Sequence, residues 1–349
     1  MSVERASPKR RIAGAAALLL LVCMAVVTWL YMAYYGAGPA ATNGDKTVVV
    51  LRTGSGVSEI AETLEEGGAI KSAAAFKIAA RLTGAHRTLQ AGEYQFPSGA
   101  SLAEVLEAVR KGDVVRWFVT VPEGRSSVQV IDILNASPVL VGTVEVPAEG
   151  SLLPDTYEVT RGDTRASVVE RMQQAREKAL AELWTKRAAD LPISTPEQAV
   201  ILASIVEKET GVASERARVA AVFVNRLRMG MRLDSDPTIV YGITKGRPLG
   251  RGLRVSEIQA VTPWNTYRIA GLPPTPIANP GREAIAATLN PAKTTDLYFV
   301  ADGSGGHAFA QTYEQHLANV ARWRQIEKAA PPVYSAPAAP AAPAAAPAR

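Results

Sequence analysis

The spacing of apolar residues changes along this 349-residue chain, and the changes predict its elements. Residues 12–35 form an uninterrupted run without a charge. As a helix that run is about 36 Å long, against a hydrocarbon core of roughly 30 Å. Residues 47–51 read as a strand, 91–96 as another, with helices near 59–66, 72–82 and 101–110. Ser58 is the expected cap of the first of these helices, and Gly67-Gly68 its end. Residues 117–121 read as a strand and 127–134 as a helix, and helices dominate from 165 to 228. Within that stretch Leu202, Ile205, Val206 and Glu209 fall at i, i+3, i+4 and i+7, one stripe of one helix. Thr195 is its expected cap, with Pro196 at the first helical position, Gln198 at capping-box spacing and Gly211 as the stop. A second helix follows over 215–227, with Ser214 as its expected cap. Beyond Gly230 the pattern turns strand-like and turn-rich, with a strand, a glycine turn and a strand over 298–309. A last helix is expected near 311–328.

This order predicts an α+β protein with an N-terminal transmembrane helix. The expected parts are a cytoplasmic segment (1–11), an anchor (12–35), a linker (36–46), a small module (47–114), a mixed helical and strand domain (115–330) and an Ala/Pro tail (331–349). The tail cannot build a core and is expected to be disordered. The β-α-α-β order of the module resembles a LysM-like domain, a kind that binds glycans rich in N-acetyl sugars. A purely structural spacer has the same order.

Charge sharpens the picture. Of the net +5, most lies at the ends, in Arg5, Lys9, Arg10 and Arg11 against Glu4 and in Arg349. The body is nearly neutral and offers no electrostatic footprint for nucleic acid. Lys9-Arg10-Arg11 ahead of the apolar run keeps the N-terminus cytoplasmic, and Trp29, Tyr31, Tyr34 and Tyr35 sit like an interfacial belt. The alternative is a cleaved signal peptide, whose apolar region would be shorter, about 7–15 residues. The single cysteine, Cys23, lies in this run, so no internal disulfide is expected. The three histidines, His86, His307 and His316, make no metal-binding spacing, and no metal or cofactor is expected.

The candidate chemistry centres on Glu209. A carboxyl ending an apolar row is desolvated, which favours its protonated form and suits a general acid near neutral pH. Glu207, about 200° away on the helix, points elsewhere and reads as a structural or ion-pairing residue. Residues 271–281 hold four prolines and two glycines, a stiff loop fit to wall a cleft.

Ala203 to Thr210, Asn225-Arg226-Leu227, Asp236-Pro237-Thr238, Tyr267, Gly271-Leu272-Pro273-Pro274 and Tyr298 to Gly303 together resemble the endolytic murein transglycosylase (YceG-like) family. The resemblance runs over the whole chain except the tail. It implies cleavage of nascent peptidoglycan strands between N-acetylmuramic acid and N-acetylglucosamine, leaving 1,6-anhydro ends and setting strand length. It implies a periplasmic catalytic domain on the inner membrane beside a membrane peptidoglycan synthase. The family's catalytic glutamate is the second of its Glu-Lys-Glu motif, here Glu209. Asn265 and Tyr267 then become candidates to bind acetamido groups and sugar faces. Asp236 either contacts substrate or caps the turn before Pro237, and His307 belongs either to the cleft or to its glycine turn. Two other readings stay open: a muramidase-type hydrolase with Asp234 or Asp236 as base, and a non-enzymatic wall-binding scaffold.

Overall fold

The computed structural model describes residues 8–42 and 44–329, with side chains described at 18 and from 20 onward. Residues 1–7 of the expected cytoplasmic segment and the tail at 331–349 lie outside them. In chain order the elements are α1 (Pro8–Tyr35), β1 (Lys46–Leu51), α2 (Val57–Glu66), α3 (Ala73–Leu82), β2 (Gly92–Pro97), α4 (Leu102–Lys111), β3 (Trp117–Thr120), α5 (Ser127–Ala136) and β4 (Thr156–Val159). They continue with α6 (Arg165–Thr185), α7 (Pro196–Glu209), α8 (Arg216–Arg228), α9 (Asp236–Thr244), α10 (Val255–Gln259), α11 (Arg282–Leu289), β5 (Tyr298–Ala301), β6 (His307–Ala310) and α12 (Tyr313–Ala329). The fold is mixed α+β. Its strands pair as β1–β2, β3–β4 and β5–β6, each pair antiparallel.

Two compact units share the chain. Of the described residues, the first takes those up to Val121, Ile131–Glu145 and Thr156–Arg171; the second takes Pro122–Val130, Val146–Asp155 and those from Met172 onward.

In the first unit, β1 alternates. Val49 and Leu51 are buried, while Val48 and Val50 face out, as the period of two requires. The inward pair packs with Leu64 of α2, Phe76 of α3, Tyr94 and Phe96 of β2 and Val105 of α4. The helix starts are set locally. Ser72 accepts from the Ala75 N–H at 3.3 Å. Ser101 and Glu104 form a full capping box, the Ser101 hydroxyl accepting from Glu104 N at 3.3 Å and the Glu104 carboxylate from Ser101 N at 2.7 Å. Ser58 does not cap α2: the extended backbone of Gly56 starts that helix before Ser58 is reached, with no side-chain cap. Because Ser101 is buried, Ser101→Ala should cost about 1 kcal/mol, read as a lower urea midpoint at unchanged slope. Glu93 of β2 ties the β3–β4 pair to the module, accepting from Trp117 Nε1 at 3.1 Å and Arg161 Nε at 2.7 Å.

Among the described residues, no helix is long and apolar enough to cross a membrane. The side chains of residues 12–17 and 19, part of the expected anchor, lie outside them. Those of α1 that are described are largely solvent-facing, Leu20, Val27 and Trp29 among them, and Tyr34 packs against the first unit's core.

The second unit's core is α7 and α8 against α11. Leu202, Ile205, Val206, Val219, Phe223, Ile285 and Leu289 are all buried there. Thr195 caps α7 by accepting from Gln198 N at 3.2 Å. The return bond of the box goes one residue further back: the Gln198 side-chain Oε1 accepts from Ser194 N at 2.7 Å. Ser214 does not cap α8. The cap position falls to Glu215, which makes no side-chain cap bond because its carboxylate is spent on His307. After Gly230 the expected strand, glycine turn and strand are present as β5 and β6, but the stretch before them holds α9, α10 and α11, of 9, 5 and 8 residues, where strand-like segments were expected. Such short helices complete too few turns for a period of 3.6 to declare itself.

Candidate active site

Glu209 is the last residue of α7, and the three residues of its stripe, Leu202, Ile205 and Val206, are fully buried. Desolvation holds its carboxyl above the usual carboxylate range. The Ser235 hydroxyl works the other way, donating to Glu209 Oε1 at 2.5 Å. The charge of Asp236 adds to the upward push, and those of His307 and Arg226 oppose it. The C-terminal end of a helix, where partial negative charge collects, also favours the protonated form.

The position of Ser235 is fixed by a buried network of hydroxyls. Its N–H donates to Thr266 Oγ1 at 3.0 Å, and its carbonyl accepts from Thr238 Oγ1 at 2.6 Å. Thr238 and Thr266 share a bond of 2.9 Å. Ser235 stands at the N-cap of α9 yet makes no side-chain cap bond; its hydroxyl serves Glu209 instead. The residue before it, Asp234, has a left-handed φ of 51°, which costs energy in a non-glycine residue unless its surroundings impose it. Arg226 does so. Its Nη1 donates to the carbonyls of Arg232 and Leu233 at 3.1 and 3.0 Å and to Asp234 Oδ2 at 3.1 Å, while Nε reaches Leu297 O at 2.7 Å.

Asp236 opens α9 and is exposed, with the Tyr267 hydroxyl donating to its Oδ1 at 2.8 Å. Burial first, then Asp236, push the Tyr267 hydroxyl above its ordinary pKa. His307 is held at two points by Glu215, through its N–H at 3.0 Å and its Nδ1 at 2.7 Å. Its ring stands edge-on to Phe299, with centroids 5.2 Å apart. These groups and Glu209 act on one another within the second unit. Asn265 does not join them. It is fully buried; its amide nitrogen donates to the carbonyls of Glu257, Ile258 and Ala260, and its Oδ1 accepts from Tyr267 N at 3.0 Å. Fully buried and bonded to the backbone on both sides of its amide, it shapes the loop rather than facing a ligand.

Glu207 points away from Glu209, as helix geometry requires. Its Oε2 accepts from Gly281 N at 2.9 Å, and Arg216 lies 3.9 Å from Oε1. The 271–281 loop is pinned to α7 by Ser204, whose hydroxyl accepts from Ile277 N at 3.0 Å. At its far end, buried Asn279 bridges Leu152 N, Arg125 O, Ser127 Oγ and Glu149 Oε1, at 3.0 to 3.2 Å. Sequence reasoning named neither Ser235, Arg226 nor Asn279 for these tasks. Among the described residues no group of three or more His, Cys, Asp or Glu side chains is placed to hold a metal ion.

A protein named endolytic murein transglycosylase from Bacillus subtilis (strain 168) is 30% identical over 313 residues, covering 80% of this chain and 85% of that one. One of the same name from Streptococcus pneumoniae serotype 2 (strain D39 / NCTC 7466) is 29% identical over 334 residues, covering 81% of this chain. The chain spans 59% of the length of the pneumococcal relatives it matches. A crystal structure of a YceG-like protein from Listeria monocytogenes is 26% identical, covering 79% of this chain and 99% of its own, with a TM-score of 0.49. The model of the YceG-like family matches residues 49–322, which takes in Glu209 and the Ser235, Asp236 and His307 groups around it; the chain belongs to the YceG-like family.

Proposed function

We propose that this protein is an endolytic murein transglycosylase that cuts peptidoglycan glycan strands between N-acetylmuramic acid and N-acetylglucosamine. The observation that carries the reading is the desolvated Glu209 carboxyl, held by Ser235 at the end of α7, in a family whose relatives bear that name. Glu209 enters the reaction protonated and gives its proton to the glycosidic oxygen. The C1–O bond breaks, with its electron pair leaving on that oxygen. The sugar's own C6 hydroxyl attacks C1 and returns its proton to Glu209, closing a 1,6-anhydro ring. Because the attacking oxygen is tethered to the same sugar, no water has to be positioned and a second carboxylate is unnecessary. Tyr267, Asp236 and His307 flank the acid and contact the sugars.

Ser235→Ala should move the alkaline fall of the kcat profile to higher pH. Its hydroxyl favours the ionised carboxylate, so losing it leaves Glu209 protonated further up the scale. An unmoved alkaline limb would mean that the Ser235 bond is absent in the working complex.

The same reading extends to location. On this reading the charge-free run 12–35, part of whose side chains lie outside the described residues, anchors the chain in the inner membrane with the N-terminus cytoplasmic. The two units then lie in the periplasm, beside a membrane peptidoglycan synthase, where the enzyme sets strand length. The LysM-like module, with its paired β1 and β2, grips glycan.

The test is mass spectrometry of purified peptidoglycan digested by the full-length protein in detergent. Anhydro-muramyl ends are expected. Reducing ends would instead identify a hydrolase using Asp234 or Asp236 as base, and strands bound but left intact would identify a scaffold.

A further inference from the structure

Next to the end of α7 the second unit holds a groove of about 390 Å³, within the range of small-molecule sites. Lys208, the neighbour of Glu209 in sequence, lines it together with Asp236, so the groove adjoins the acid. Pro237, Tyr241 and Ile277 supply apolar surface, and Arg247 supplies a second cation. Asp236 already receives the Tyr267 hydroxyl. Lys208 is poorly compensated. Among the described residues its one hydrogen bond is long, Nζ donating to Gly124 O at 3.4 Å. Desolvation and the charge of Arg125 both push it below the ordinary lysine range, with Glu207 opposing them. An ammonium so placed gains from an incoming carboxylate.

Ser126, Gln129 and Thr244 also line the groove and could serve a sugar rim. Its two cations, Lys208 and Arg247, outnumber its one carboxylate, Asp236, and stand with apolar Pro237, Tyr241 and Ile277, which suits a short aliphatic chain ending in a carboxylate. We infer that the groove receives the carboxylate-bearing peptide substituent of the glycan, with Lys208 and Arg247 facing the carboxylate and Pro237, Tyr241 and Ile277 the alkyl portion. The inference rests on the glycan-cleaving reading above and adds which part of the substrate is recognised beside the scissile bond.

The experiment uses full-length protein in detergent with two substrates: uncrosslinked strands with their peptides intact, and the same strands stripped by an amidase that removes the peptide from the muramyl lactyl group. The peptide-bearing strand should be preferred in kcat/KM by about tenfold, the worth of one good charge-assisted contact, with most of the difference in KM. Lys208→Met and Arg247→Met should each shrink that preference several-fold, and Lys208→Arg should largely keep it. Melting curves identify a variant that fails to fold, in which case the other one decides. Equal use of both strands by the unmodified protein would overturn the groove assignment alone. So would a preference untouched by either Met variant, which would leave the groove to a sugar ring. Cleavage of neither strand would bring down the glycan-cleaving reading and the groove assignment with it.

Discussion

Replacing Glu209 with Gln is expected to lower glycan cleavage by about a thousandfold or more, while the fold stays intact and becomes harder to melt at neutral pH. The activity loss follows from removing the proton that the leaving oxygen needs. The Gln carbonyl still accepts from Ser235, so geometry is kept while chemistry is lost. The stability gain follows from linkage. In the unfolded chain a glutamate gives up its proton near pH 4.3; in the fold, desolvation holds Glu209 above that value. Between the two, the unfolded state ionises first, so stability falls as pH rises through that window. Above it, the fold carries an ionised carboxylate at a desolvated site. Gln does not titrate. The two proteins should therefore melt alike in acid and separate as pH rises, the variant melting higher. Thermal denaturation across pH, beside product analysis, reads both effects. A Gln variant that still releases anhydro ends would remove Glu209 from the mechanism.

Asn279→Ala should produce the largest loss of stability, about 3 kcal/mol or more, lowering Tm by roughly 6–12 °C. Asn279 is fully buried and ties two other stretches of chain, around 124–127 and 149–152, to its own. Its Oδ1 takes Leu152 N, its Nδ2 reaches Arg125 O, Ser127 Oγ and Glu149 Oε1, and its carbonyl accepts from Gly124 N. Truncation to Ala leaves the buried Leu152 N–H without its partner, at its full desolvation cost, takes one bond from each of three buried acceptors and opens a cavity. Asn279→Asp should do more harm, because it sets a second carboxyl beside Glu149, whose own is already pushed up by burial. A shift in Tm of only a degree or two for Asn279→Ala would mean that water replaces the amide and that the clamp is weak.

How much of this was legible depended on whether the information was local. The stripe ending in Glu209 needed only helical spacing, and the first-unit elements needed only alternation, capping residues and glycines. Arg226 obeys the same rule as Glu209. Val219, Val222 and Phe223 precede it at i, i+3 and i+4, all buried, and it too is buried. Spacing alone did not single it out, because an arginine in a last helical turn also reads as a cation answering the helix dipole. Ser235 reaches Glu209 across 26 residues, a contact no period encodes. Asn265 was misread for a chemical reason: an amide suits an acetamido group and equally suits three backbone carbonyls, and only burial tells the two apart. The membership of 122–130 and 146–155 in the second unit depends on bonds to Asn279 spanning up to 154 residues.

That interleaving governs the order in which the protein can be built. The first unit is complete once Arg171 has been made, but Pro122–Val130 and Val146–Asp155 belong to the other unit and find their partners only beyond Met172. Asn279 follows Leu152 by 127 residues, roughly 6–25 s at ordinary rates of synthesis. Through that interval Leu152, fully buried in the finished protein, is an apolar residue without its final neighbours. A fragment cut after Arg171 keeps that condition permanently: it carries two strips of the other unit's interior and nothing to bury them against.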